Sequence, residues 1–332
     1  MNKNKITLYF AAGILLLAVT LILSLLLGST DISIAKALSA LADGNTDDGN
    51  LRIFLYVRIP RITAAVFAGV ALSVSGVLIQ AVLANPMASP NIIGVNAGAG
   101  FAVILASSLL PNMLAFIPLA AFLGAVITCL LIFVIAKKTC SGRMTIILVG
   151  IAVTSILNAA ISAVKTVFPN SVYNFTTFSV GGLGAVNISV LRIAVPVIVF
   201  FLLLVLFLSK DMDILCLGEE TAFGLGMRVS LYRFIFLISA SALAGCAVSF
   251  AGLLGFVGLV VPHIARRFVG TGHRLLVPLS AILGAEFVLL SDLFCRIIFR
   301  PYEIPVGILL SFVGGIFFIF LILMQRKGKH YD

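Results

Sequence analysis

The sequence predicts an all-α membrane protein, a single domain of about ten transmembrane helices. Three observations predict it: 61% of the 332 residues are hydrophobic, only 10% are charged, and the uncharged runs are long. A soluble domain averages about 25% charged residues because its surface faces water. Here most of the surface must face something else. The first run, Ile6 to Gly28, exceeds the roughly 20 residues that a spanning helix needs. Lipid offers the backbone no hydrogen-bond partners, so such runs must be helices rather than open sheet.

Taken in order, the expected segments are 6–28, 62–83, 91–110, 114–136, 144–164, 190–208, 232–251, 254–268, 275–298 and 304–324. Pro111-Asn112 marks a tight turn between the third and fourth, and the eighth is too short for an ordinary full span. The 29 glycines suit helices whose backbones approach closely, so the bundle should be compact. Tryptophan is absent, which leaves Tyr9, Tyr56, Tyr173, Tyr232, Tyr302 and Tyr331 as interfacial anchors. Lys3 and Lys5 precede the first run as in a signal peptide. That run is longer than the usual apolar core of about 7–15 residues and no small-x-small site follows, so it reads as a retained helix.

Basic residues set the orientation. With the N-terminus inside, 14 of the 22 lysines and arginines fall on cytoplasmic segments, among them Lys137, Lys138, Arg266 and Arg267, against 8 outside. Both termini are then cytoplasmic. The net charge of +10 is on this reading a topology signal, not a nucleic-acid-binding face. Residues 29–57 form an outer connection, where Asp43, Asp47 and Asp48 beside Gly44 and Gly49 read as a solvated loop. Residues 209–230 form the longest cytoplasmic loop, whose charges and spaced apolar residues suggest short amphipathic helices at the surface. A faint internal echo links Arg61 to Ser73-Val74-Ser75-Gly76 with Arg233 to Ser249-Phe250-Ala251-Gly252, on helices of opposite direction, as in inverted repeats.

Several chemistries have no support. No Gly-x-x-x-x-Gly-Lys-Ser/Thr loop, His-Glu-x-x-His or nucleophile elbow with partners occurs. His263, His273 and His330 are dispersed, and Cys129, Cys140, Cys216, Cys246 and Cys295 lack metal-ligand spacing and read as packing residues. Energy for pumping must come from another subunit or an ion gradient. A gradient-driven carrier needs ionisable groups within the bilayer, and only Glu286 and Asp292 qualify, both on the ninth segment. They read as hydrogen-bonding groups inside the bundle, which leans against a secondary carrier.

A series of motifs carries a resemblance. Arg58-Ile59-Pro60-Arg61, Gly69-Val70-Ala71-Leu72-Ser73-Val74-Ser75-Gly76, Gln80, Asn85-Pro86-Met87-Ala88-Ser89-Pro90, Gly94-Val95 and Gly98-Ala99-Gly100 come first. Gly255-Phe256-Val257-Gly258-Leu259-Val260-Val261-Pro262-His263-Ile264-Ala265-Arg266 follows, continuing through His273, Pro278, Asp292, Arg296 and Glu303-Ile304-Pro305-Val306-Gly307. With Leu217-Gly218-Glu219-Glu220-Thr221-Ala222-Phe223-Gly224-Leu225-Gly226 between them, the order and spacing from about residue 50 to 324 resemble the FecCD family of importer permeases. One departure is Phe178-Ser179-Val180-Gly181-Gly182, where relatives carry a tryptophan before a Gly-Ser pair.

The resemblance implies a bundle like that of the vitamin B12 importer permease, in the cytoplasmic (inner) membrane. It implies two permease copies, here expected as a homodimer, two cytoplasmic ATPase subunits that hold ATP and Mg, and an extracytoplasmic substrate-binding protein. The chain itself would be non-catalytic, with no cofactor of its own and no nucleic-acid partner. Its expected cargo is a ferric siderophore or related iron chelate; vitamin B12 or haem is the alternative within the family, and an ion-coupled secondary transporter the alternative outside it. In the coupling loop, Leu217, Gly218, Glu219, Glu220, Ala222, Leu225 and Gly226 would seat on the ATPase, with the glutamates pairing to basic groups there. Arg58, Arg61 and Arg296 match positions that receive acidic side chains of the binding protein, a task that suits a planar guanidinium fork. Pro86, Pro90, Pro262 and Pro305 are expected at helix breaks and Gly255 and Gly258, with Gly252, in a close-packing stripe, both sets being candidates for gating.

Overall fold

The computed structural model describes residues 3–30, 33–45, 47–139, 142–298 and 300–328; Cys140, His330 and Tyr331 lie outside them. Helix α1 (Lys3–Leu26) is followed by two short helices, α2 (Ile34–Ala42) and α3 (Gly49–Ile53), and by α4 (Ile59–Leu83). Then come α5 (Val95–Leu109), α6 (Ile117–Thr139), α7 (Arg143–Val167), α8 (Val172–Val180) and α9 (Ile188–Phe207). The chain continues through α10 (Ser209–Cys216), α11 (Glu219–Gly224), α12 (Val229–Ala251), α13 (Val257–Val269), α14 (His273–Ile298) and α15 (Val306–Gly328). Among the described residues there is no strand.

Each of the ten expected segments falls on a helix: α1, α4 to α7, α9 and α12 to α15. Seven of these are long and apolar enough to cross a membrane by themselves. Of the other three, α14 is 26 residues long and carries Glu286 and Asp292, while α5 has 15 residues and α13 only 13. At 1.5 Å per residue α13 covers about 20 Å, well short of a hydrocarbon core of about 30 Å. These two short helices occupy corresponding places, α5 after α4 and α13 after α12. The correspondence extends to packing: α5 packs on α6 and α7, α13 on α14 and α15, and α4 meets α14 as α12 meets α6. The faint echo between the runs from Arg61 and Arg233 thus coincides with a repeated arrangement of neighbours.

The connection at 29–57 differs from the expected solvated loop. Ser33 caps α2 by accepting from the Lys36 amide, and Asp48 caps α3 by accepting from the Leu51 amide. Asp48 therefore acts as a helix-starting residue, and Ala37 and Leu51 are buried beneath the two helices. Helix α8 also escapes the hydrophobic count, because its nine residues include Tyr173, Asn174, Thr176, Thr177 and Ser179.

At the centre lie α4 and α12, the most completely buried of the spanning helices. Helix α4 owes this place to small residues. A Cβ added to Gly69 would run into the carbonyl of Gly284 on α14, and one on Gly284 would meet the Gly69 carbonyl. A Cβ on Gly76 would strike the Gly258 carbonyl on α13. Two helices thus touch α4 backbone to backbone, where dispersion contacts replace the hydrophobic effect that lipid removes. The end of α4 is equally specific: Ala84 takes φ 44°, its amide reaches the Ala81 carbonyl and the Asn85 amide reaches that of Gln80. This is a Schellman stop with alanine where glycine is usual.

Replacing Gly76 or Gly69 by Val should lower the melting temperature in detergent, at a cost of roughly 1–3 kcal/mol or more from overpacking. Gly49→Ala, which meets nothing within 4 Å, should leave it unchanged or slightly higher.

Candidate functional site

Two polar regions lie at opposite ends of the bundle. The end where α1 begins is here the N-terminal face; Tyr9 of α1 and Phe268 of α13 pack there with ring centroids 5.1 Å apart. Helices α4, α6, α9, α13 and α15 run towards this face, and α1, α5, α7, α12 and α14 run away from it.

At the opposite face α1 ends with unsatisfied carbonyls, as every helix does. Arginines answer them. Arg58 donates to the carbonyls of Leu25, Leu26 and Thr30, Arg296 to those of Ser24 and Leu27 and to the Ser24 hydroxyl, and Arg300 to that of Gly28. Arg61 sets its fork on Asp292, with Nε 3.1 Å from both carboxylate oxygens and Nη2 3.0 Å from Oδ1, and places Nη1 2.6 Å from Glu303. Asp292 also meets Nε of Arg296 at 3.0 Å, one helical turn on. Four positive charges thus gather round two carboxylates and the negative end of a helix dipole.

This geometry corrects the expectation for the arginines. Arg58, Arg61 and Arg296 are only 3%, 7% and 2% exposed, and acceptors within the chain take up their forks. The expectation that Asp292 hydrogen-bonds inside the bundle holds, but it names no partner; the signal for one is the four-residue spacing of Asp292 and Arg296 on one helix. Glu303, between α14 and α15, completes the cluster. Burial pushes its carboxyl up, but hydrogen bonds from Ser29 and Arg61 and the charges of Arg61 and Arg296 outweigh this and hold it below the usual carboxylate range.

At the N-terminal face, residues 209–230 fold as the two short helices α10 and α11, matching the expectation of surface helices. Met212, Leu215 and Ala222 are fully buried, fixing the segment to the bundle. Asp213 accepts from the His273 amide at 3.0 Å and contacts its Nδ1 at 2.6 Å, capping α14. Arg143 of α7 donates to the Leu215 carbonyl at 3.1 Å, Cys216 lies 3.8 Å from the Ala81 carbonyl, and Glu219 meets Arg233 of α12 at 2.5 Å. Gly226 closes α11 at φ 84° in a Schellman pattern, its amide on the Phe223 carbonyl and the Met227 amide on that of Ala222. Gly218 starts α11 at φ 109°, a conformation that only glycine holds without strain.

Of the residues expected to seat on a partner, Leu217 and Leu225 project at 61% and 63% exposure and Glu220 is exposed. Ala222 instead faces the core, and Glu219 is already held by Arg233, so neither is available as expected. The residue passed over is Phe223, 76% exposed at the tip of α11. Phe223 is the single aromatic of residues 209–230, the signal that could have found it.

The helix breaks divide. Pro86 lies in the turn after α4, Pro90 opens a one-turn helix at Pro90–Ile93, and Pro305 directly precedes α15. Pro262 makes no break: it sits inside α13. The glycines form no stripe either, because Gly252 caps α12, Gly255 lies in the irregular stretch before α13, and only Gly258 is helical. A Cβ on Gly258 would come within 3.2 Å of both Gly76 Cα and Pro90 Cδ, so the broken stretches of the two half-bundles meet there. Gln80 donates to the Gly258 carbonyl at 3.3 Å across the same contact. Phe256 precedes α13 at φ 64°, a left-handed conformation that costs a bulky residue about 1–3 kcal/mol.

Comparison with known proteins places this arrangement. Residues 16–324 match the family model described as the FecCD transport family. The chain is 36% identical over 287 residues to the Fe(3+) dicitrate transport system permease protein FecD of Escherichia coli (strain K12), covering 86% of this chain and 90% of that one. It is 34% identical over 316 residues to the hemin transport system permease protein HmuU of Yersinia pestis, covering 93% and 95%. A solved structure of a metal-chelate type ABC transporter in an inward-facing conformation superposes with a TM-score of 0.85 at 27% identity, covering 96% of this chain and 99% of that one.

Asp292→Ala should destabilise the chain by about 3–5 kcal/mol, since Arg61 and Arg296 lose a buried counter-charge. Asp47→Ala, which removes the exposed pair with Arg52, should cost about 0–1 kcal/mol; chemical denaturation in detergent separates the two. The lowered carboxyl of Glu303 adds stability above its unfolded value of about 4.3, and this is lost as pH falls through the lower folded value. Glu303→Gln should remove that acid-side portion of the pH–stability curve and leave the neutral side flat.

Proposed function

The chain belongs to the FecCD transport family, and from that premise we propose that it is the membrane permease subunit of an ATP-driven importer for a ferric siderophore or related iron chelate. The observation that carries this reading is the α10–α11 segment: two short helices anchored to four spanning helices, presenting Leu217, Phe223 and Leu225 outward. Exposed apolar tips on a rigid base are what a partner subunit requires for docking. The chain performs no chemistry in this scheme; ATP and Mg belong to two ATPase subunits, one seated on that segment of each permease copy. The excess of Lys and Arg on the N-terminal face supports placing it in the cytoplasm, with both termini inside.

A second copy of the chain would complete the translocation path. A substrate-binding protein would dock on the opposite face, where the buried arginines stiffen the surface from beneath and exposed groups such as Lys36 and Asp43 make the contacts. The contact of Gly258 with Gly76 and Pro90, beside the strained Phe256, is the proposed place where the two half-bundles shift during gating. Relatives handle ferric dicitrate and hemin, so haem remains the second cargo reading. The ion-coupled alternative is weakened because Thr20 donates to Glu286 at 2.8 Å and Arg61 and Arg296 engage Asp292.

Pull-down of the tagged chain from mild detergent, with stoichiometry by mass spectrometry, should recover two copies with two ATPase subunits. Phe223→Asp or Leu225→Asp should cut ATPase recovery about tenfold or more, as loss of an interface hot spot does, and abolish uptake of ferric chelate into vesicles. Repeated recovery without an ATPase would return the ion-coupled carrier.

A further inference from the structure

On the N-terminal face a groove of about 610 Å³ opens between the end of α6, the start of α12 and Phe223 of α11. Its floor is aromatic: Phe133 and Phe234 lie 5.3 Å apart between ring centroids, tilted at 47°, with Leu231 beside them. Its rim is cationic, with Lys137 from α6 and Arg228 immediately before α12. None of the residues lining it is acidic. Helix α12 begins there with no acidic residue in its first turn; the Val229 and Leu231 amides donate to the Met227 and Arg228 carbonyls, but the positive end of the helix dipole still adds potential of the same sign.

A second feature leads into this groove. Along α6, Leu119, Leu123, Ile127, Leu131 and Val134 are all exposed and recur every three or four residues. They form an apolar stripe down one side of a helix long and apolar enough to span the bilayer, and the stripe ends at Lys137 and Lys138. An apolar track that stops at cations around an aromatic pocket is complementary to a molecule with a long apolar tail and an anionic head. A free anion would use the rim and leave the aromatic floor bare. A positively charged headgroup would be repelled by the rim, and a zwitterionic one, with no net charge, would gain less there than an anionic one.

The geometry points to a binding site for an anionic phospholipid, its phosphate held by Lys137 and Arg228 at the positive end of α12, and one acyl chain laid on Phe133, Phe234 and the α6 stripe. The site faces the leaflet at the N-terminal face and adjoins the α11 tip. It requires only that the chain span a bilayer, and stands apart from the identity of the cargo.

The chain has no tryptophan, so Phe223→Trp places a single fluorophore at the groove. The full chain carrying it is reconstituted in phosphatidylcholine nanodiscs doped with brominated phosphatidylglycerol or, in parallel, brominated phosphatidylcholine. The anionic lipid should quench at a lower mole fraction, by about fivefold for each cation engaged. Adding K137Q and R228Q together should erase that preference, whereas Lys36→Gln on the opposite face should keep it. Equal quenching by the two lipids, or a preference that survives the double substitution, overturns the site. Loss of the preference in millimolar inorganic phosphate would reassign the rim to a free anion. Exclusion of the brominated lipid on adding the ATPase subunit would reassign the groove to a protein contact. Native mass spectrometry of the unmodified chain gives a reading independent of these variants: retained phosphatidylglycerol in excess of phosphatidylcholine is expected, and equal retention overturns the proposal.

Discussion

The bundle is organised by the absence of side chains on one helix. Gly69 and Gly76 lie two turns apart on α4 and admit the backbones of α14 and α13 to direct contact. Lipid-facing helices gain nothing from burying one apolar surface rather than another, so association depends on how closely they can approach. Once α4 holds α14 and α13, the positions of α12 and α1 follow from their contacts with α4 and α14, and that of α6 from its contact with α12. The Arg61–Asp292 pairing depends on the same approach, because it joins α4 and α14 above the Gly69–Gly284 contact.

The charge cluster at the opposite face shows why buried arginines are retained in a chain with few charges. Each guanidinium brings five donors, more than one carboxylate can absorb. The remainder go to the last carbonyls of α1, which would otherwise end in an apolar environment unsatisfied. The excess positive charge is met by the negative end of the α1 dipole rather than by further acids. One cluster thereby terminates a helix, joins α1, α4 and α14, and reaches Glu303 before α15.

Much of this was legible in the sequence, and for identifiable reasons. Lipid enforces helical hydrogen bonding, so counting apolar runs located all ten long segments, and the glycine content announced close packing. The ordered motifs from Arg58 to Gly307 pointed to the family that the comparisons then matched over residues 16–324. Direction was harder to read than position. Whether Arg58 points outward or caps α1 depends on where Leu25 and Thr30 lie, 33 and 28 residues away in the chain. Glu219 and Ala222 failed as partner-facing residues for the same reason, since Arg233 and the core decide which side of α11 is free. Pro262 and Gly258 were misread because periodicity does not reveal that five non-helical residues, Gly252 to Phe256, precede α13 and shift its start.

The anchoring of α10 and α11 has a mechanical consequence. A surface segment tied at one point would swing under load and absorb a push. Here Asp213 is bound to the start of α14, Leu215 to α7, Cys216 lies against the end of α4 and Glu219 holds α12. Helices α4 and α12 belong to opposite halves of the repeat, so the segment that carries Phe223 is tied to both halves through Cys216 and Glu219. The segment is held as a pawl rather than a tether, so a load on its tip would be passed to both half-bundles instead of being absorbed by the loop.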